Sequence, residues 1–521
     1  MKQVSKNEYV KIESGKRVLV ISDIHGGFES FKEILAEANF SPDDYLFIVG
    51  DVINRKNHGI KIIDYLIELK KTHHVHMVVG NNDLILPLIK GSKLEDLYKY
   101  IIRNQKKQVF YEIFHNYGVE VSEYFTYQEF LDYVPRIIDD YHKQIEFIEN
   151  LPVTIETDKM IFAHAGIEDK PLDQQDRAKV TKWDLFYDGS YVSNKLLIVG
   201  HYPVSAYYHQ ISSFNPVIDL KRNIISIDGG YSVKDDGQLN LLIFKDENDR
   251  SPIHIAIDEL EEVRVKKDFM PNNQQPLSLI WNQDEVKIIK KYQNHSVVSV
   301  KGTEMIIDND FIYQTNDKLL TYDFTNYQCP VKENDIVKVV YIYDEWCFIK
   351  KDGIRGFVPR NILDLDYLHF RLASYTDARK IANLAEEIKK MGIDNSWDEE
   401  YPNYEIFFND YEQQALYKLS LNGEIVASIS FEPPVTKSKH TIAITRFLIN
   451  PKYQGQGYAK YVIANIEAKA KSLGFKTIEL LAYINHPMAK EMYEHFGYTN
   501  QGLYETPWGN DYYLFKKNIW K

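Results

Sequence analysis

Five short stretches place oxygen and nitrogen donors at positions where metal chemistry becomes available. SDIHGG carries Asp23 and His25, GDVINR carries Asp51 and Arg55, GNND carries Asn81, AHAGI carries His164 and VGHYP carries His201. Asp23, His25, Asp51, Asn81, His164 and His201 make a set of O and N ligands, which suits a pair of divalent cations. A phosphate ester repels nucleophiles through its own charge. Two cations a few ångströms apart neutralise that charge and activate water near neutral pH. A carboxylate between the cations keeps them together, and Asp51 is the candidate for that place. Any one of these residues alone would be unremarkable, since an Asp after a strand is often a helix cap.

The elements that must position them are legible as apolar runs. RVLVIS (17–22), YLFIVG (45–50), VHMVVG (75–80), MIFAHA (160–165), LLIVG (196–200), IISID (224–228) and LNLLIF (239–244) read as strands buried on both faces. FESFKEILAEANF and GIKIIDYLIELKK between them have helical periodicity, and 84–150 reads as further helices. In such α/β alternation the loops after the strands converge on one crevice, so ligands far apart in sequence can meet. His73, His74 and His76 precede that crevice and are expected to be incidental.

The chain has 521 residues, which suggests roughly three domains. Its net charge of −13 disfavours binding to nucleic acid or an anionic membrane. MKQVSKNEYVKIESGK has no apolar core of signal-peptide length, and no run approaches the ~18 apolar residues of a membrane span, so a cytoplasmic protein is expected. Cys329 and Cys347 are too few for a disulfide framework and read as buried small hydrophobes.

With FIENLPVTIE before FAHAGI, and IDGGYSVKDDGQLNLLIF closing the stretch, residues 16–245 resemble the calcineurin-like metallophosphoesterases. Within them they are similar to the branch holding phosphoprotein phosphatases and symmetrical dinucleoside tetraphosphatases. The resemblance implies Asp23, His25 and Asp51 as ligands of a first metal, Asp51, Asn81, His164 and His201 as ligands of a second (Mn²⁺, Fe or Zn²⁺), and Arg55 as a phosphate-binding residue. It also implies catalytic roles around GNND. Where the family has Gly-Asn-His and then an acid, this chain has Asn82 followed by Asp83. An amide has no proton to give at pH 7, and losing general-acid help typically costs ~10² to 10⁴ in rate. A leaving group already stable as an anion reduces that loss, so a changed specificity is expected. No arginine follows Trp183 in TKWDLFYDG, a second departure in the same direction.

LLTYDFT, DEWCFIKK and GIRGFVPRNIL resemble a Src-homology-3 barrel, whose groove residues would be Tyr322, Trp346 and Pro359 and whose partner would be a proline-rich peptide. Asp352 and Gly353 read as its hairpin turn. In the last segment QGQGYA (454–459) opens a helical run. Glycines there let backbone N–H groups approach a pyrophosphate at a helix N-terminus. With ITRFLINPKY before it and NHPMAKEMYEHFGY after it, the segment resembles the GNAT family of N-acetyltransferases. That resemblance implies acetyl-CoA bound by Leu448, Ile449, Gln454, Gly455, Gln456, Gly457, Tyr458, Ala459 and Asn485, with Tyr493 returning a proton to the thiolate.

The expected architecture is therefore multidomain α/β: a metallophosphoesterase sandwich at 1–258, a connecting region at 259–316, a small all-β barrel at 317–365 and a mixed α+β GNAT fold at 366–521. The expected function is bifunctional, combining a dinuclear phosphohydrolase acting on a phosphorylated protein, nucleotide or metabolite with an acetyl-CoA-dependent N-acetyltransferase acting on an amine. The alternative is a regulatory protein in which one or both enzyme folds bind without catalysis and the barrel recruits a partner.

Overall fold

The computed structural model describes residues 6–104, 107–119, 121, 124–271, 275–292, 295–315, 318–343, 345–365, 368–391, 397–398, 400–421, 424–486, 488–506 and 511–520. Two compact units divide the chain, Met1–Asn116 with Val121–Asp364 and Tyr117–Glu120 with Leu365–Lys521. Among the described residues no helix is long and apolar enough to cross a membrane.

In the first unit the predicted apolar runs are strands of two sheets. One orders Ile253–Ile257, Leu239–Phe244, Val18–Ile21, Tyr45–Ile48 and His74–Met77; the other orders Asn7–Tyr9, Thr154–Glu156, Met160–Ala163, Leu196–Val199, Ile224–Ser226 and Val217–Asp219. Successive side chains on a strand point to opposite faces. Val18, Val20 and Phe47 of the first sheet accordingly meet Met160, Phe162, Leu196 and Ile198 of the second in one core, with the Phe47 and Phe162 rings stacked 4.1 Å apart. The helix Phe28–Glu37 buries Phe28, Phe31, Ile34 and Leu35, and Gly59–Leu69 buries Ile60, Ile62, Ile63 and Leu66. These strands are near-continuous apolar runs because both of their faces are covered. His73, His74 and His76 stack on Phe40, Tyr45 and Phe47 as side chains of the sheet edge.

The stretch 259–316, expected to connect, is built of strands. Glu261–Arg264 pairs antiparallel with Ile336–Ile342, Ser278–Leu279 pairs with Phe324–Thr325, and Lys287–Lys291, His295–Val300 and Thr303–Asp308 form a meander. The segment 317–365 is therefore no self-contained barrel, because strands from 259–316 cover its edges and satisfy their backbone groups. Residues 272–274 of the expected linker lie outside the described residues. The hairpin is as expected: Lys351 faces Ile354, and Asp352 (φ 52°) and Gly353 (φ 76°) form the turn with both residues left-handed. Both cysteines are buried and unbridged.

This β stretch is seated on the sandwich. Lys350 Nζ lies 2.6 Å from Asp258 Oδ2 and donates to the Asp236 carbonyl at 2.7 Å, while Arg355 meets Asp236 Oδ2 at 3.4 Å. The Phe214 ring, fully buried, has both cations 5.2 Å from its centroid. Tyr341 Oη donates to Asp235 at 2.6 Å, Lys234 pairs with Asp323 at 2.6 Å, and Phe214 N–H donates to the Gly353 carbonyl at 2.8 Å.

The second unit is a seven-stranded sheet ordered Leu368–Leu372, Leu416–Leu421, Glu424–Glu432, Thr441–Ile449, Thr477–Tyr483, Asp511–Asn518 and Thr499–Glu505. Only Thr441–Ile449 and Thr477–Tyr483 run parallel, and their pairing covers just Thr441 to Ala443 against Thr477 to Glu479. Beyond Ala443 the ladder stops. The helix Tyr458–Ser472 buries Val462, Ile463, Ile466 and Ala470, and Gly474 follows its end at φ 90°. Leu473, at the cap, is 38% exposed.

Candidate functional site

All six residues predicted as metal ligands meet at the carboxyl ends of the sandwich strands. Asp23, His25 and Asp51 each bring one ligand atom within 4.8 Å of the others, and Asp51, His164 and His201 do the same. Asp51 belongs to both groups. Asn81 Oδ1 joins the second group at 3.2 Å from His164 Nε2.

The backbone is bent to reach this geometry. Asp23 (φ 53°), His25 (φ 48°), Asp51 (φ 55°) and His201 (φ 69°) all occupy the left-handed region, which costs a non-glycine residue on the order of 1–3 kcal/mol each. Asp83 holds the bend, accepting the N–H of Gly80 at 2.8 Å, Asp51 at 2.9 Å and Val52 at 2.9 Å. It is therefore a positioning residue. A Cβ on Gly80 would fall 2.1 Å from Asp51 Oδ1, and one on Gly200 2.4 Å from Asp23 Oδ2, so both turns need the close approach that only glycine allows.

The donor set fits cations. Ser22 Oγ, Asp23 Oδ1 and His25 Nδ1 are buried with no hydrogen-bond partner among the described residues. Unmatched buried polar atoms are costly unless something outside the protein satisfies them. Burial, and then the neighbouring Asp228, push the Asp23 carboxyl well above its ordinary range. Burial holds His25 down at about 4, leaving a neutral imidazole able to ligate. At His164 burial is outweighed by Asp51 and Asp23, which hold the imidazole up at about 10.

Asn82 does not point outward as a leaving-group donor. Its backbone N–H donates to Asp51 Oδ1 at 2.8 Å and its amide to Asp51 Oδ2 at 2.6 Å. Arg55 is exposed, and no carboxylate pairs with it among the described residues. Two residues escaped the sequence reading. Asp184 Oδ1 lies 2.9 Å from His201 Nε2, and Asp228 begins the turn beside Asp23. The letters WD after a short helix gave the only signal for Asp184.

In the second unit Gly455 (φ 72°) and Gly457 (φ 85°) form an exposed turn, and Gly457 caps the helix Tyr458–Ser472. Gln454, Gln456, Tyr458 and Ala459 surround it, and Leu448 and Ile449 end the strand that leads into it. This is the edge where the parallel ladder stops, so the turn opens next to a gap between strands. Asn485 is exposed there, its amide 3.2 Å from Tyr483 Oη. Tyr493 is 9% exposed, its ring packed between Tyr498 and Phe515 at 5.9 Å from each. Burial pushes its phenol far above the ordinary range. Of the predicted peptide groove, Trp346 faces Pro359 across the hairpin and meets the Phe269 edge, whereas the Tyr322 ring is tilted against Tyr313 at 4.7 Å.

A symmetrical bis(5′-nucleosyl)-tetraphosphatase of Buchnera aphidicola is 32% identical over 21% of this chain, and the match spans only 38% of that relative's length. Shewanella-like protein phosphatase 1 of Plasmodium berghei is 27% identical over 31% of this chain and 42% of its own length. An N-acetyltransferase structure from Staphylococcus aureus Mu50 aligns over 29% of this chain and 99% of that one at 14% identity, with a TM-score of 0.25. Residues 16–244 match the family model for calcineurin-like phosphoesterases and residues 379–498 that for the acetyltransferase (GNAT) family, both of them families of enzymes.

Proposed function

We propose that the first unit hydrolyses a phosphoanhydride, of the kind that links two nucleosides in the substrates of its named relatives, and that the second transfers an acetyl group from acetyl-CoA to an amine. The observation that carries the first half is Asp51, one buried carboxylate shared by two ligand groups, beside the buried and unmatched Asp23 Oδ1 and His25 Nδ1. Asp23, His25 and Asp51 would hold one divalent cation, and Asp51, Asn81, His164 and His201 the other. When bound, the pair neutralises phosphate charge and activates water. Arg55 binds the phosphate from the exposed rim of the crevice. Asp83 keeps the Asp51 loop in its left-handed turn, and Asn82 fixes both Asp51 oxygens. No side chain in GNND can protonate a leaving group at pH 7, so a phosphate leaving group, already stable as an anion, suits this centre best. In the second unit the exposed 454–459 turn and the gap beside it suit a pyrophosphate and an extended thioester arm.

Full-length protein purified with Mn²⁺ should carry two divalent ions per chain by plasma mass spectrometry, as a two-cation site requires. It should hydrolyse a bis(5′-nucleosyl) tetraphosphate far faster than an alkyl phosphomonoester. A chain that turns over equally well after metal removal would contradict the reading, and would favour a binding role for this unit. Asn82→His should raise the rate on alkyl monoesters by at least about tenfold with little change on the anhydride, since only the alkoxide needs a proton. An equal change on both substrates would show that leaving-group stability does not govern the choice.

A further inference from the structure

We infer that the β stretch seated on the sandwich supplies the wall of the phosphohydrolase site that grips the substrate's nucleobase, through Trp281 and Gln283. This rests on the phosphohydrolase reading and adds to it the part of the substrate away from the scissile phosphate. Gln283 Nε2 donates 2.7 Å to the hydroxyl of Tyr202, the residue that follows the ligand His201. Two positions before Gln283, the Trp281 backbone N–H is held by Asp323 Oδ1 at 2.8 Å. Asp323 also pairs with Lys234, whose ammonium lies 6.0 Å from the Trp281 ring centroid. Lys234 belongs to the turn that begins at Asp228, beside Asp23. The indole therefore sits at the junction of the two loops that form one flank of the metal centre.

Trp281 is 54% exposed although its backbone is fixed, so a large flat apolar face is presented to solvent next to the catalytic crevice. From Gln283 the aromatic surface continues through Tyr202 to Tyr207, ring centroids 5.3 Å apart. A planar ring on an ester or anhydride is the ligand that such a surface takes, because every base has a face for stacking. The Gln283 amide favours a nucleobase over a plain phenyl ring: its Oε1 has no partner among the described residues and can accept from a base edge.

The test uses the full chain loaded with Mn²⁺. By isothermal titration, Trp281→Ala should weaken AMP binding about tenfold and leave inorganic phosphate binding unchanged, while Trp281→Phe keeps most of the AMP affinity. In turnover, KM for a bis(5′-nucleosyl) tetraphosphate should rise by a similar factor with kcat unaltered, and tripolyphosphate hydrolysis should not move. Unchanged AMP affinity, or an equal loss for AMP and phosphate, overturns the inference. Phenyl phosphate showing the same Trp281 dependence as AMP overturns the nucleobase assignment in favour of aryl esters. A chain that hydrolyses none of these substrates yet binds AMP in a Trp281-dependent way would refute the phosphohydrolase reading and leave the wall standing.

Discussion

Asp51→Asn should strip both cations from the full-length protein and lower its phosphohydrolase kcat/KM on the order of 10³-fold or more, the several kcal/mol that a two-cation centre contributes. Two defects combine. The carboxylate is the only ligand common to both groups, so a weaker donor there reduces the affinity of each. Both Asp51 oxygens also accept from Asn82, at 2.8 and 2.6 Å, and an amide would turn one of those acceptors into a donor facing a donor. The variant should fold, because the side chain is isosteric and Asp83 still anchors the loop through backbone N–H groups. Metal content and turnover measured together decide the matter, and wild-type values for both would refute the site. Acetyl-CoA binding should be unaffected.

Gly457→Glu should abolish acetyl-CoA binding, weakening it at least about a hundredfold, without unfolding the second unit. At φ 85° any side chain is strained, and a carboxylate at a helix N-terminus occupies the place offered to a pyrophosphate and repels it. Nothing lies within 4 Å of where a Cβ would project, so the first side-chain atom meets open space. Gly457→Ala separates the two effects, since it carries the backbone strain without the charge and should cost far less. Titration with acetyl-CoA checks both variants, and persistent binding by Gly457→Glu would remove the turn from the cofactor site. Phosphohydrolase activity lost in a folded Gly457→Glu protein would show the two chemistries to be coupled.

The sandwich and its candidate ligands were legible because the apolar runs, buried on both faces, stop just before them, as at Ile21 before Asp23 or Val199 before His201. The strands within 259–316 were not legible. They are short and largely half exposed, and Glu261–Arg264 finds its partner only at Ile336–Ile342, so no local period announces it. Asn82 shows a different limit. Its identity ruled out a proton donor, but nothing in the sequence says that its amide turns back onto Asp51. Tyr493 sits at a spacing shared by catalysis and core packing, and the sequence could not foretell its contacts with Tyr498 and Phe515.

The ring of Phe214 held between Lys350 and Arg355 bears on how such a gene can be cut and joined. A truncation after residue 258, where the sequence alone suggests a border, would remove both cations from a buried ring and leave Asp236 and Asp258 facing emptied positions. Breaking one buried pair by removing a partner costs about 3–5 kcal/mol, a large share of what holds most domains together. Recombination at that border would yield a destabilised fragment, whereas a break near 365 leaves every one of these partners on the same side. The catalytic sandwich and its β neighbour can thus be inherited, swapped or expressed only as a single cassette.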